Sequence, residues 1–395
     1  MSLPLEGFRI IDCSTVLAGP LAATHLGDFG ADVIKVEMPQ ATYPAAARSI
    51  RLHEERNKRS VTIDLRKPAG QELLLRLAKN ADVLIENFRP GTFEKWNLGP
   101  DRLLETNPRL IIHRLSAFGQ TGPWRELGGY DRQAQAISGA TYVTGFPDSE
   151  PVRSGFATAD YMAGIWGAFS IMLAAYWRDA RGGKGQVSDL ALFEPILRAC
   201  EGSVTEYSLS GHIRERSGNS NPGVVPAANF KTADGVTVAI NANNDRQWAR
   251  LARLIGRPDL ADHPDYQMPH RLKHADEIYP LLAEWVGSRE LRDVEEAMLH
   301  AGVPCAPVLN VKQVFEHRMI RERGAIVNVP WEGKEIAMVN VLPRLSESPG
   351  AIRRPAPRPG EHTEEVLREI GLDDAEIRQL ASDGVIAPPV QETSA

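Results

Sequence analysis

The chain has 395 residues, of which 43% are hydrophobic and 24% charged, and its formal net charge is -6 at pH 7. This length exceeds the roughly 250 to 300 residues at which one core stops growing, so we expect two domains. The acidic balance offers no basic footprint and argues against a nucleic-acid partner. The three cysteines, Cys13, Cys200 and Cys305, fit neither a disulfide framework nor clustered zinc ligands, because they are odd in number and far apart.

The N-terminus, MSLPLEGFRIID, lacks the cationic and apolar regions of a secretory signal. Together with the cysteine usage, this predicts a cytoplasmic protein. The run from Tyr161 to Trp177 is apolar except for Ser170, but it reaches only the lower edge of membrane-spanning length and contains Gly164 and Gly167. We therefore expect a buried core helix and no membrane partner.

The first 200 residues alternate between short β-rich runs and helical patterns, which is typical of βαβ units and a parallel sheet. Pro68 at a first-turn position predicts the start of one helix, and its leucines should face the sheet. In chain order, the pattern predicts strand FRIIDCS, helix LAGPLAATHLGDFG, strand ADVIKVE, strand SVTIDL, helix PAGQELLLRLAKN, strand ADVLIENF, strand RLIIHRLSAF and strand VSDLALF.

Ser, Gly, Asn and Pro accumulate between Tyr207 and Val225, and we place a domain boundary there. The following strand pair (NFKT, VTVAIN) and helices (DRQWARLARLIG, RELRDVEEAMLHAG) predict a smaller α/β domain that ends near residue 325. A proline-rich connector then leads to the final helices, TEEVLREIG and DDAEIRQLASDG. The predicted limits are 1–206, 207–325 and 326–395.

Several motifs allow a structural and a functional interpretation. The turn STVLAGPLAATHLGDFG lacks the G-x-G-x-x-G spacing of a dinucleotide site, so it is either a plain tight turn or a ligand contact. The run Arg56–Ser60 is either a phosphate-binding cluster or a solvated loop. The sequence has no Cys/His cluster and no G-x-S-x-G elbow, so neither a metal site nor a serine hydrolase is predicted.

Asp160 stands at the head of the long apolar run. It is either an N-cap, which satisfies free N–H groups of the following helix, or a functional carboxylate held in the positive end of that helix. In the functional interpretation the helix end keeps the carboxylate ionised among apolar neighbours, which suits a nucleophile, and adjacent N–H groups stabilise an oxyanion.

Taken together, ten ordered motifs resemble the class III CoA-transferase family, which includes formyl-CoA and succinyl-CoA transferases and the α-methylacyl-CoA racemases. The resemblance runs from about residue 5 to 387. Its motifs are VLAGPLAATHLGDFGADVIKVE, RNKRSVTIDLRKPAG, ADVLIENFRPG, NPRLII, FGQTGP, GGYD, Asp160 with Gly164, GGKGQ, AGVPCAPV and RPAPRPGEH.

The resemblance implies an interlocked homodimer. Each chain would have a large Rossmann-like α/β domain, built from both chain ends and completed by residues 326–395, and a small middle α/β domain. It makes Asp160 the nucleophile that attacks an acyl-CoA thioester and places Tyr130 near the reacting centre. Coenzyme A enters as a thioester substrate, and no permanently bound cofactor or metal is implied.

For CoA binding, the resemblance points to positions in three turns of the large domain. Arg66 and Lys95 are suited to phosphates, and Ile63 or Phe88 to covering adenine; a solvated Arg66 and Lys95 and a core Phe88 are the structural alternatives. The full set is Val16, Ala18, Ile63, Arg66, Asn87, Phe88, Arg89 and Lys95.

Two departures narrow the function. Racemases carry His at the position of Tyr130, so Tyr130 favours transfer over α-proton exchange. Formyl-CoA transferases carry Gln at the position of Leu17 and a glycine-rich loop at the position of Asn241–Asp245. The absence of both features here favours dicarboxylate substrates.

We expect a CoA-transferase; the alternatives are a racemase and a non-catalytic CoA-binding protein. Arg48, Arg51 and Arg153 are candidate partners for a distal carboxylate.

Overall fold

Six parallel strands form the main sheet of the computed structural model, which describes residues 3–39, 47–221 and 223–388. Their order is β3-β2-β1-β4-β5-β6. The expected parallel α/β sheet is confirmed. The strands are β1 (Arg9–Asp12), β2 (Asp32–Glu37), β3 (Lys58–Thr62), β4 (Val83–Glu86), β5 (Ile111–Ser116) and β6 (Val187–Ala191).

The helices between and after these strands belong to the same unit as the sheet. They are α1 (Ala18–Asp28), α2 (Arg48–Glu54), α3 (Pro68–Ala78), α4 (Thr92–Lys95), α5 (Pro100–Thr106), α6 (Asp131–Ile137), α7 (Thr158–Ala180), α8 (Phe193–Ala199) and α9 (Ser203–Ser210). Helix α3 begins at Pro68 as predicted, and its Leu73, Leu74 and Leu77 are buried.

Residues Tyr142–Val152 and His212–Arg323 form a second compact unit. Its three-stranded antiparallel sheet packs on an apolar core around Trp248 and Ile278. The elements are β7 (Ala227–Lys231), β8 (Thr237–Asn241), α10 (Asp245–Leu254), α11 (Pro258–Ala261), 3-10 helices at Pro264–Tyr266 and His270–His274, α12 (Ala275–Gly287), α13 (Leu291–Ala301), β9 (Cys305–Pro307), α14 (Val311–Glu316) and α15 (Arg318–Glu322).

The segment from Gly324 onward groups with the first unit. It forms the hairpin β10 (Ile326–Trp331) and β11 (Lys334–Val339), followed by α16 (Thr363–Glu369) and α17 (Asp374–Ser382). Arg59 of β3 forms ion pairs with Glu365 and Glu369 of α16. Val366 and Leu367 enter the same apolar cluster as strand residues such as Val61. The core of the first unit is therefore built from residues at both ends of the chain.

Helix α7 packs against α1 along a line of small residues. A Cβ on Gly164 would lie 2.6 Å from the Leu21 side chain, and one on Gly167 would lie 2.8 Å from His113 Nε2. The opposite face of α7 is apolar but exposed in the chain by itself, with Ile165, Phe169, Leu173, Tyr176 and Trp177 all at least half exposed. The prediction of a buried core helix is therefore confirmed for the face with Gly164 and Gly167 and wrong for the opposite face in the chain by itself.

Candidate active site

A cavity of about 250 Å³ lies at the carboxyl ends of β1, β4 and β5, where the strand order reverses between β1 and β4. Ligands of open α/β sheets bind at such switch points. The cavity is lined by Thr15, Val16, Leu17, Ala18, Asn87, Phe88, Arg89, Pro90, Leu115, Ser116, Ala117, Leu127, Gly128, Gly129, Tyr130, Asp160 and Leu192. It thus brings together seven of the ten predicted site residues: Val16, Ala18, Asn87, Phe88, Arg89, Tyr130 and Asp160.

Asp160 lies in the first turn of α7, but it does not cap the helix. The Ala159 N–H instead donates to Asp131 Oδ1, at 2.8 Å, from the start of α6. Within the described part of the chain, the Asp160 carboxylate has no hydrogen-bond or ion-pair partner and it lines the cavity. The N-cap interpretation of Asp160 is therefore wrong, because another carboxylate occupies that position.

Burial raises the pKa of the Asp160 carboxyl from 3.8 to about 7, and the nearby negative charge of Asp131 adds to this effect. Desolvation disfavours the charged form, and a like charge acts in the same direction. The expectation that the helix end keeps Asp160 ionised is therefore wrong near pH 7, because burial and Asp131 raise its pKa. Near pH 7 the carboxyl is present in both forms, and its ionised form is more basic than an ordinary aspartate.

Tyr130 immediately precedes α6, and its side chain is 69% exposed. Its N–H donates to Gln133 Oε1 at 3.1 Å, which fixes the turn into the helix. Gly129 packs closely on Ala117 and Phe118, with 2.9 Å between a hypothetical Cβ and the Ala117 Cβ. Tyr130 therefore lines the cavity on a backbone held close to the end of β5.

The turn after β1 has an unusual backbone. Val16 has φ of 69° although it is β-branched, and its side chain is 71% exposed. Such a residue in the left-handed region is strained by about 1–2 kcal/mol. Asn87 holds this turn by two reciprocal bonds, because its Oδ1 accepts the Thr15 N–H and its Nδ2 donates to the Thr15 carbonyl, both at 2.7 Å. Strain of this kind is common at ligand-binding turns.

A second cavity, of about 230 Å³, shares Thr15 and Phe88 with the first. Its walls are mainly apolar and include Ile63, which is fully buried in the core, and Trp96. Phe88 packs edge-on against Trp96, with 5.2 Å between ring centroids. Ile63 and Phe88 therefore meet in a pocket next to the Asp160 cavity.

Two predicted site residues line neither cavity. Arg66 is largely exposed and pairs with Asp64, with 2.8 Å between Nε and Oδ1. Lys95 is exposed at the end of α4. Their predicted contacts with CoA phosphates remain predictions.

The other cations that the sequence singled out lie elsewhere. Arg48 stacks over the Trp331 ring at 4.6 Å, Arg51 donates to the Pro357 carbonyl at 2.8 Å, and Arg153 donates to the Ser154 carbonyl at 2.8 Å. None of them lines the Asp160 cavity. The hypothesis that they meet a substrate carboxylate there gains no support.

The run Arg56–Ser60 is neither a phosphate cluster nor a solvated loop. Its residues are buried at the start of β3, and Lys58 Nζ lies 3.0 Å from Asp12 Oδ2 and 2.8 Å from Glu55 Oε2. Burial acts to raise the pKa of Asp12, but Lys35 of β2 and Lys58 together lower it to about 2. Both sequence interpretations are therefore wrong, because the cations of this run pair with carboxylates inside the protein.

Across residues 3–39, 47–221 and 223–388, no helix has the length and apolar character needed to cross a bilayer. Within the same ranges, no group of three or more His, Cys, Asp or Glu side chains is placed to hold a metal ion.

A family model described as CoA-transferase family III matches residues 5–363. The chain therefore belongs to CoA-transferase family III and is a CoA-transferase enzyme, as its motifs indicated. It is 42% identical to the succinyl-CoA–L-malate CoA-transferase beta subunit of Chloroflexus aurantiacus, over 98% of each chain. It is 32% identical to the human succinyl-CoA:glutarate CoA-transferase, over 97% of this chain and 90% of that one.

Solved structures agree with this assignment. A CAIB/BAIF family protein from Brucella suis superposes with a TM-score of 0.83 at 32% identity, over 94% of this chain and 100% of that one. Rv3272 from Mycobacterium tuberculosis superposes with a TM-score of 0.80 at 31% identity, over 92% of this chain and 98% of that one.

Sequence reasoning gave no role to Asp131, although it directly follows Tyr130. It also missed the wall formed by Leu115, Ser116 and Leu127. The sequence did carry a signal for this wall. Leu115 and Ser116 lie near the end of a predicted strand, Leu127 precedes the Gly128-Gly129 pair, and the ends of parallel strands approach the switch point of the sheet. The capping role of Asp131 had no such signal, since the helix that it caps begins 27 residues later.

Proposed function

We propose that the protein transfers CoA from an acyl-CoA to a free carboxylic acid, with Asp160 as the nucleophile. The observation that carries this proposal is that Asp160 is the only carboxylate among the described residues that line the cavity, and that it has no partner there. A half-buried carboxylate with a raised pKa is more basic than a solvated one, and basicity strengthens a nucleophile.

The proposed chemistry needs only this carboxylate. Asp160 attacks the thioester carbonyl carbon, the C–S bond breaks and CoA leaves as a thiolate, giving a mixed anhydride. The thiolate then attacks the aspartyl carbonyl carbon, and the donor acid leaves as its carboxylate. The acceptor carboxylate attacks the resulting aspartyl-CoA thioester, and the same steps in reverse produce the new acyl-CoA and restore Asp160.

We propose that CoA spans the two adjoining cavities. Adenine would lie between Ile63 and Phe88 in the apolar pocket, and the thiol end would pass Val16 and Ala18 towards Asp160. Arg89 would meet the pyrophosphate or the acyl group, since it is the one cation among the described residues that line the Asp160 cavity. Arg66 and Lys95, both exposed, would meet outer phosphates.

Tyr130 is proposed to orient the acyl carbonyl, because it lines the same cavity as Asp160. We further propose short dicarboxylates as substrates. The names of the relatives at 42% and 32% identity pair succinyl-CoA with malate and with glutarate. A cation in the cavity suits a second carboxylate.

The decisive experiment is a mass-spectrometric exchange assay with succinyl-CoA, other acyl-CoAs and a panel of acids including malate and glutarate. Wild type should form new CoA thioesters, and Asp160→Asn should lower the rate at least about a thousandfold. Asp101→Asn is the matched control, since Asp101 also lies in the first turn of a helix but lines neither cavity. It should keep the wild-type rate.

Two other outcomes would replace the proposal. Deuterium that enters the α-carbon of an acyl-CoA from heavy water, without transfer to any acid, would indicate a racemase. CoA binding without either reaction, unchanged in Asp160→Asn, would indicate a non-catalytic CoA-binding protein.

We also propose that the protein forms the interlocked homodimer that the family resemblance implies, and that the exposed apolar face of α7 is part of its interface. Ile165, Phe169 and Leu173 lie at helical spacing on that face, and such a surface is costly to leave in water. Light scattering should give a dimer for wild type and a smaller species for Phe169→Glu with Leu173→Glu. Leu299→Glu, at a residue that is 78% exposed on α13, is the control and should remain dimeric. A wild-type monomer at micromolar concentration would refute this assembly.

A further inference from the structure

Asp131 uses both of its carboxylate oxygens to hold the start of α7. Oδ1 accepts the Ala159 N–H at 2.8 Å, and Oδ2 accepts Gln135 Nε2 at 2.7 Å. Gln135 is 2% exposed, and its Oε1 accepts the N–H and the hydroxyl of Ser154, each at 3.1 Å. The helix start is thus tied to α6 through a buried amide.

The hydrogen bonds of Asp131 determine which contacts remain open to the Asp160 carboxylate. The free N–H groups of a first helical turn are strong donors to a carboxylate, and an acidic residue at the third helical position can itself reach back to the backbone at the helix start. Because Asp131 already accepts the Ala159 N–H, Asp160 is not drawn onto its own helix end. Its carboxylate remains at the cavity wall without a partner among the described residues.

We propose that Asp131 is the positioning residue of this site, because it occupies the end of α7 in place of Asp160 and directs the Asp160 carboxylate into the cavity. This inference rests on the proposed function of Asp160. Asp131 also has an electrostatic effect, because its negative charge shifts the titration of Asp160 to higher pH.

Other charged or titratable groups also face this region. Tyr161 donates to Glu54 Oε1 of α2 at 3.0 Å, so that carboxylate is already engaged. The other charged or titratable side chains among the described residues of the cavity wall are Arg89 and Tyr130. The described groups to be considered in a pH profile of Asp160 are therefore Asp131, Glu54, Arg89, Tyr130 and Tyr161.

The test compares Asp131→Asn, Asp131→Ala and wild type in the exchange of ¹³C-succinate into succinyl-CoA, which needs no knowledge of the acceptor. Asp131→Asn keeps an acceptor for the Ala159 N–H but loses the charge and the acceptor for Gln135 Nε2, so the acid limb of its kcat profile should move down by roughly one pH unit. Asp131→Ala frees the helix end for Asp160, so kcat should fall at least tenfold while the KM for succinyl-CoA changes less than threefold.

The matched control is Asp373→Asn. Asp373 caps α17 through the Ala375 and Glu376 N–H groups, at 2.8 and 2.9 Å, but lines neither cavity. Its pH profile should overlay that of wild type. If the Asp131→Asn profile also overlays wild type, Asp131 is a cap without influence on Asp160 and the inference fails. If Asp131→Ala does not fold, the nearly isosteric Asp131→Asn decides.

A second readout does not depend on turnover. Carbodiimides react with protonated carboxyls, so the pH dependence of Asp160 labelling, read by peptide mass spectrometry, reports its titration. The midpoint should be lower in Asp131→Asn than in wild type; equal midpoints would overturn the inference. If wild type shows no exchange but the labelling midpoint of Asp160 is lower in Asp131→Asn, the proposed function is refuted and the influence of Asp131 is not.

Discussion

Gly128 and the Arg89 guanidinium are in contact: a Cβ on Gly128 would lie 2.6 Å from Arg89 Nη2. Both residues line the cavity that contains Asp160. The side chain of Arg89 therefore has its position only because residue 128 has no side chain. This contact connects the loop before Tyr130 to the turn after β4.

Gly128→Ala should displace Arg89 and raise the KM for acyl-CoA roughly tenfold, the value of one charge-assisted hydrogen bond. Steady-state kinetics with varied acyl-CoA would measure this change. Gly155→Ala is the control, because a Cβ there meets nothing within 4 Å. An unchanged KM in Gly128→Ala would show that Arg89 does not contact the substrate.

Gly164→Ala should lower the free energy of unfolding by roughly 1 to 3 kcal/mol, because the added methyl overlaps Leu21 at the contact between α1 and α7. Leu21→Ala in the same chain should restore space, so the two changes should couple by about 1 kcal/mol in a double-mutant cycle. Urea unfolding of the four proteins gives this coupling. Additive effects would contradict the close packing of the two helices.

Val16→Gly should leave the free energy of unfolding unchanged or raise it by up to about 1 kcal/mol. Relief of the left-handed strain outweighs or balances the greater backbone entropy of glycine in the unfolded chain. Val204→Gly is the contrast, since Val204 is also exposed but lies in α9 with ordinary helical backbone; it should lose about 1 kcal/mol. Equal losses at both positions would refute the strain at Val16.

Asp160→Asn should be more stable than wild type at pH 8 but not at pH 4. The native pKa of about 7 lies above the ordinary 3.8, so the folded chain binds the proton more tightly than the unfolded chain. Wild-type stability should therefore fall as pH rises from about 4 to 7, by roughly 2 kcal/mol for a partly exposed group. Denaturant unfolding at both pH values measures the difference. A pH-independent difference would contradict the raised pKa.

The alternation of strands and helices could be predicted from sequence because each element carries its own period and breakers. Helix α3 illustrates this, with Pro68 at its start and its leucines on the sheet face. The burial of the long helix α7 could not be predicted from its sequence in the same way. An apolar side chain at 165 or 169 looks the same in a core and on an uncovered face, and only the packing of Gly164 and Gly167 separates the two sides.

The family resemblance named Val16, Asn87 and Phe88, which follow the carboxyl ends of strands and line the cavity. The site was not predictable where a contact joins residues far apart in the sequence, as the hydrogen bond between Asp131 and Ala159 does. Local rules assigned that hydrogen bond to Asp160, the nearest carboxylate in the sequence. The domain limits 1–206, 207–325 and 326–395 and the roles of the site residues remain predictions.

The ion pairs between Arg59 and helix α16 have a consequence for synthesis of the chain. About 300 residues separate β3 from the segment that completes its packing, and the second unit lies between them. During translation, the core of the first unit stays incomplete until α16 has left the ribosome. The second unit is continuous apart from one short segment that is made earlier, so it is the part of the protein that can finish folding first.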